Sequence, residues 1–343
     1  MASPNNHGFN TVQNSRVETR RKSETLQMYT VIGVICMAVI TVALLVVMAV
    51  GGLMGNDPHS PNGPANEKVD WGSFTVTATD TLYGDLVLVN NSHAYTFPNS
   101  TDHLDEIYAM YDSHNPRLYI QSGISTYMDK DALVALDKML VAFHTATGKD
   151  NVQIRDAYRD HARQQELCDL GYSDILPGRS DHHTGLGCAL RYVLETGGKD
   201  VAYDLSTDAT YNWLFENCHK YGFVIRYPDD KADQTGVSDY NYYFRYVGIP
   251  HATYMVSEGL CMEEYIEELK EYDNEDPLEI NAADGKTYEV YYVAVEGSAT
   301  VKHPTNYAYT VSGTNEGGVV ITVDRSAPLS ETGTSADTSA AGN

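Results

Sequence analysis

Basic residues are scarce. The 343-residue chain has 23 Lys and Arg against 47 Asp and Glu, a formal net charge of −24. Such a surface repels phosphate backbones, anionic lipid and anionic wall polymers, which excludes nucleic acid as a partner. Its ordinary consequence is solubility. Cysteine is sparse too: of five in the sequence, none forms a CxxC pair, so no cysteine-type zinc pattern is encoded. No repeat of solenoid length is present. The acidic run Glu263 to Asp276 lacks the spacing and central glycine of a calcium-binding EF loop. It reads as a solvated helix face. The remaining composition, 42% apolar and 20% charged, is that of a globular protein with one large or two modest domains.

One stretch departs from that composition. Tyr29 to Val50 contains no charged residue, and roughly 20 such residues cross the hydrocarbon core of a bilayer. It is longer than a signal-peptide core and no cleavage site follows, so an uncleaved signal anchor is expected. Arg16, Arg20, Arg21 and Lys22 precede it, and Asp57, Glu67 and Asp70 follow. The positive-inside rule then gives a single-pass protein of the cell membrane, N-terminus cytoplasmic and C-terminal domain extracellular. Residues 1–28 read as a polar cytoplasmic tail, 51–70 as a Gly/Pro/Asn-rich linker and 326–343 as a disordered Ser/Thr/Ala/Gly tail. Cys168, Cys188, Cys218 and Cys261 fall outside the membrane. They are either two disulfides, in one of three pairings, or small buried hydrophobes.

Between linker and tail the pattern is α+β. Thr75 to Thr79 and Gly84 to Asn91 read as strands. Leu133, Leu136, Leu140 and Phe143 give one apolar helical face, stopped by Gly148. Val152 to Ile154 alternates as a strand, and Arg159 to Cys168 is a polar helix. Asp208 caps a helix ending at Gly222, strands follow at 223–225 and 242–247, and a last helix spans about 258–271. Helices and strands intermix without βαβ repetition, which favours an antiparallel sheet with flanking helices. Residues 71–272 form this domain, and 286–324, with three strand-like runs, form a small β module.

Several segments carry chemistry. They are Tyr158-Arg159 with Gln164, Ser180-x-His182-x-Thr184-Gly185-Leu186, and Tyr221-Gly222-Phe223 through Arg226-Tyr227-Pro228. Lys231 with Thr235-Gly236, Phe244-Arg245-Tyr246-Val247-Gly248 and Gly259-Leu260-Cys261-Met262-Glu263-Glu264-Tyr265 complete the set. In this order they resemble the VanY-type D-alanyl-D-alanine carboxypeptidases, zinc enzymes that trim terminal D-alanine from peptidoglycan stem peptides. The resemblance covers about 118–269. It implies the carboxypeptidase fold, a cell-wall setting, stem peptides as the bound partner, and substrate contacts from Arg159, Gln164 and Ser180. Arg159 has an alternative reading as a salt bridge to Asp156 or Asp160, and Gln164 one as a solvated helix residue.

A catalytic zinc needs three protein ligands, an open position for water and a carboxylate to take the proton. The resemblance places these in S-x-H-x-T-G-x-A-x-D and in E-P-W-H before F-R-Y-V-G. His182 keeps the first ligand. The aspartate position is Ala189, the base position is Tyr240 and the third ligand position is Tyr243. A neutral phenol is a poor base at pH 7. The family Ser and Gly before Tyr158 are Asp156 and Ala157. No zinc is therefore expected, and the expectation is an inactive, carboxypeptidase-like protein that binds stem peptides or regulates at the wall. Two alternatives stand beside it. One is an active enzyme with a displaced ligand set drawn from Asp181, His183, Cys188 or His251. The other is an interaction protein whose cleft is filled by Tyr240, Tyr242 and Tyr243.

Overall fold

The computed structural model describes residues 69–114, 117–122, 126–326 and 328–329. The expected anchor at 29–50 and the tails lie outside these residues. Among the described residues no helix is long and apolar enough to cross a membrane.

Strands in chain order are β1 (Trp71–Thr77), β2 (Leu104–Glu106), β3 (Ile120–Gln121), β4 (Tyr127–Asp129), β5 (Val152–Asp156), β6 (Gly187–Thr196) and β7 (Lys199–Tyr203). Then come β8 (Phe223–Ile225), β9 (Tyr243–Tyr246), β10 (Leu278–Asn281), β11 (Thr287–Ala294), β12 (Ser298–Pro304), β13 (Tyr309–Gly313) and β14 (Gly318–Asp324). The central sheet runs β3-β5-β6-β9-β8, with β7 also on β6. Only β3 and β5 pair in parallel. The fold is α+β with a mainly antiparallel sheet.

Alternation along β6 decides which side chains meet. Cys188, Leu190 and Tyr192 point to one face and pack with Val152, Ile154, Phe223 and Phe244. The helix Lys130–Thr147 covers that face with Leu133, Leu136, Met139, Leu140 and Phe143. Its ends are set locally: the Asp129 side chain accepts from the backbone N–H of Asp131 and Ala132, and Gly148 closes it at φ 70°. Gly187 and Ala189 face the other way, opposite Arg245 and Tyr243 of β9. The functional residues collect on that second face.

A second core joins the helices Ile249–Glu258 and Met262–Leu269 to β10, β11 and β14, through Ala252, Met255, Ile266, Leu269, Ile280, Val290 and Val320. The strands β10-β11-β14-β13 form one antiparallel sheet. His251 pins the two parts together: its ring contacts Tyr265 Oη at 2.7 Å and Thr322 Oγ1 at 3.0 Å. β1 pairs with β12 from Trp71↔Pro304 to Thr77↔Ser298. The strand expected at Thr75 to Thr79 spans Trp71–Thr77 instead, and it is part of the C-terminal β module rather than of the carboxypeptidase-like domain. A pairing between chain ends leaves no trace in local pattern.

Other local expectations shift for similar reasons. Asp85 to Val89 is not a strand. Leu86 and Leu88 are buried in the second core, and the carbonyls of Asp85, Val87 and Val89 accept from buried arginines rather than from a ladder. The helix expected at 258–271 begins at Met262, and Gly259 at φ 68° instead ends the preceding helix. Cys168, Cys188, Cys218 and Cys261 are free thiols, the last three buried, so the disulfide alternative gives way to packing.

Candidate active site

The short 3₁₀ turn Asp181–Thr184 presents His182 to the second face of the sheet. Its Nδ1 lies 2.6 Å from the Ala157 carbonyl, which can only accept, so Nδ1 carries the proton. Nε2 is left as an acceptor, and the Tyr240 hydroxyl donates to it at 2.8 Å. Burial, reinforced by the charge of Arg159, pulls the His182 imidazole down to about 4. It is neutral at pH 7, with its one free lone pair occupied.

Tyr243 is fully buried, its ring edge-on to His182 at 4.5 Å and stacked on Tyr240 at 5.5 Å. Tyr227 adds a third ring, 5.6 Å from Tyr240. These rings close over Ala189, which is 2% exposed. Burial holds the Tyr240 and Tyr243 phenols well above their ordinary value, so neither supplies a base near neutrality. Beyond the plug, Tyr242 carries the Arg191 guanidinium over its ring at 4.6 Å.

Gly187 makes the plug fit. A Cβ there would lie 2.5 Å from Tyr243 Oη and 2.6 Å from its Cζ. The motif S-x-H-x-T-G-x-A-x-D has alanine at this place. The phenol at 243 and the missing methyl at 187 therefore belong together, a coupling that the separate motifs did not reveal.

Asp181 holds the frame. Its carboxylate accepts from Arg245 Nη1 at 2.5 Å and from Tyr243 Oη at 3.2 Å, with Arg226 Nε 3.6 Å away. Both arginines are completely buried. Arg226 also forks onto Glu263 at 2.7 and 2.9 Å. Glu263 is thus a half-buried counter-ion rather than part of a solvated face. Lys231 pairs with Glu264 at 2.8 Å.

The expected substrate side is assembled, but its members are engaged with one another. Arg159 donates through Nε to Asp156 Oδ2 at 2.9 Å, through Nη2 to the same oxygen, and through Nη1 to Gln164 Oε1 at 3.0 Å. The salt-bridge reading of Arg159 holds, with Asp156 as partner. Burial works against the Asp156 carboxylate, yet the hydrogen-bonded charge of Arg159 holds it below the ordinary range. Gln164 is fully buried, and its Nε2 donates to Ser173 Oγ and the Ile175 carbonyl. The solvated reading of Gln164 is therefore corrected: it ties Arg159 to the loop after the polar helix. Ser180 is 1% exposed and its Oγ has no hydrogen-bond partner among the described residues.

The donors considered for a displaced metal site are spent or turned away. Asp181 is in the arginine network. His183 Nδ1 donates to the Arg159 carbonyl and its Nε2 accepts from the Gly178 N–H. Cys188 points into the first core and His251 into the interface with the β module. Among the described residues no three of His, Cys, Asp and Glu come together as a metal-binding group. A catalytic zinc requires that set. One histidine capped by a phenol beside a methyl group does not fit it.

Comparison with known proteins gives the relationship. The family model VanY, D-alanyl-D-alanine carboxypeptidase, matches residues 125–249. A D-alanyl-D-alanine carboxypeptidase of Enterococcus faecium is 30% identical over 267 residues, 77% of this chain and 82% of that protein. The bifunctional D-Ala-D-Ala dipeptidase and carboxypeptidase VanXYC of Enterococcus gallinarum is 27% identical over 191 residues, 52% of this chain and 92% of its own. Among solved structures, the D,D-dipeptidase VanXYg with a D-Ala-D-Ala phosphinate analogue superposes with a TM-score of 0.64. It covers 74% of this chain and 99% of that one at 24% identity, a likeness of fold. The chain belongs to the VanY D-alanyl-D-alanine carboxypeptidase family.

Proposed function

We propose that this protein acts in cell-wall metabolism by binding or regulating at D-Ala-D-Ala-terminated stem peptides, without hydrolysing them. One observation carries the reading. The retained histidine is capped at Nε2 by Tyr240, while Tyr243 fills the adjoining space above Gly187 and Ala189. Water activation by zinc has neither ligand set nor base there.

Peptide binding is supported by the polar groups kept beside the plug. Ser180 Oγ is buried and unpartnered, and Arg159 holds a guanidinium at the same side, paired with Asp156 and Gln164. A guanidinium fork suits a terminal carboxylate, which would take the place Asp156 holds on Arg159. Relatives are D-Ala-D-Ala carboxypeptidases and dipeptidases. The uncharged run from Tyr29 to Val50, outside the described residues, supports a single membrane anchor with the domain facing the wall.

The test uses the purified chain with a peptide ending in D-Ala-D-Ala. Metal analysis should give no stoichiometric zinc, and no D-alanine should be released. Calorimetry should show peptide binding that Arg159→Ala weakens. Stoichiometric zinc with turnover would overturn the loss of hydrolysis, and absent peptide binding would overturn the binding role.

A further inference from the structure

The segments that carry the tyrosine plug also wall an open cleft of about 380 Å³, distinct from the plugged centre. β7 and β9 both pair along the edge of β6 opposite β5, at Tyr192–Thr196 and Gly187–Ala189 respectively. The chain leaving β7 contributes Ser206 to the cleft, and the chain entering β9 contributes Asn241. Its apolar lining is Phe215, Ile225 and Pro228, and Asn212 and Glu216 complete the wall.

The polar groups have capacity to spare. Among the described residues no hydrogen bond or ion pair engages the Asn212 carboxamide or the Glu216 carboxylate, and both residues are exposed. Asn241 donates through Nδ2 to Asp229 Oδ2 at 2.8 Å, which leaves its carbonyl oxygen free. Ser206 gives its hydroxyl hydrogen to Asp204 Oδ1 at 3.0 Å and keeps its lone pairs. Position 241 is where E-P-W-H would have proline. The amide is thus a departure that adds a recognition group at the moment its neighbours lose catalytic ones.

We infer that this cleft binds a neutral saccharide. Apolar walls that include an aromatic ring suit the C–H face of a sugar, and three neutral polar side chains with one carboxylate suit its hydroxyl and acetamido groups. Glu216 and the net charge of −24 oppose an anionic ligand. Asp204 and Asp229 are taken up as acceptors by Ser206 and Asn241, which leaves Glu216 as the one carboxylate of the lining, and a cationic ligand is the competing outcome of the test. The inference does not depend on the loss of hydrolysis, and its test uses a glycan without peptide, so the two fail separately.

The full chain is titrated with the tetramer of N-acetylglucosamine, and in parallel with trilysine, by NMR or calorimetry. The expected result is saturable tetramer binding, weakened about tenfold or more in both Asn212→Ala and Glu216→Ala. The melting temperatures of these two surface variants should stay at the wild-type value. No saturation at millimolar tetramer, wild-type affinity in either variant, or saturation by trilysine alone would overturn the inference.

Discussion

Gly187→Ala tests the plug at its tightest point. The added methyl carbon would meet Tyr243 Oη at 2.5 Å, Cζ at 2.6 Å and Cε1 at 2.8 Å. Tyr243 has nowhere to go. Its ring is held against His182 and Tyr240, its hydroxyl donates to Asp181, and its backbone is paired with Ala189. Overpacking of this kind costs typically about 1–3 kcal/mol. For a domain of this size each kcal/mol lowers the melting temperature by roughly 2–4 °C, so a fall of about 2–12 °C is expected in calorimetry. Combining the change with Tyr243→His removes the Cζ and Oη atoms that clash. The double variant should therefore be more stable than the sum of the single effects predicts, with a coupling of about 1 kcal/mol or more. Tyr243→Phe keeps Cζ and should relieve little. If Gly187→Ala melts within a degree of wild type, or if the cycle shows no coupling, the phenol does not fill the space above Gly187 and the account of the closed centre fails.

Three further outcomes follow from the same geometry. Asp181→Asn removes the carboxylate that faces Arg245 and Arg226, both completely buried. A loss of about 3–5 kcal/mol is expected in urea unfolding, and a near-neutral change would deny Asp181 its role in the frame. His182 is held neutral at about 4, below the ordinary 6.5, by burial and Arg159. Between those values the unfolded chain binds the extra proton, so stability rises with pH through this window and levels off above it. Measured as wild type minus His182→Gln, so that Asp85, raised to about 7 by burial, cancels with other groups, the slope should be about 1.4 kcal/mol per pH unit near pH 5. A flat difference would contradict the burial of a neutral imidazole. Finally, the combined variant Gly187→Ala, Ala189→Asp, Tyr240→Glu and Tyr243→His should bind zinc stoichiometrically by metal analysis, whereas none of the four single variants should. Zinc in the parent chain, or in Tyr240→Phe alone, would show that the plug is not what keeps the metal out.

The features legible from residues alone are local and ordered. The helix at Lys130–Thr147 was legible because Asp129, the three- and four-residue apolar steps and Gly148 act within a few residues of one another. The family was legible because its motifs survive in order, and the departures at Ala189, Tyr240 and Tyr243 are changes of residue type that need no coordinates. The tertiary structure decided what those residues touch. The Tyr240–His182 bond spans 58 positions and the Asp181–Arg245 bond 64, so neither partner could be chosen from spacing. Gln164 looked solvated because its helix is polar, and it is buried because Arg159 and the Ile175 carbonyl reach it from outside that helix. The strand at Trp71–Thr77 showed its alternation but not its partner at the other end of the chain. Gly187 needed a structure most of all: its missing side chain has meaning only because a phenol from β9 occupies the space.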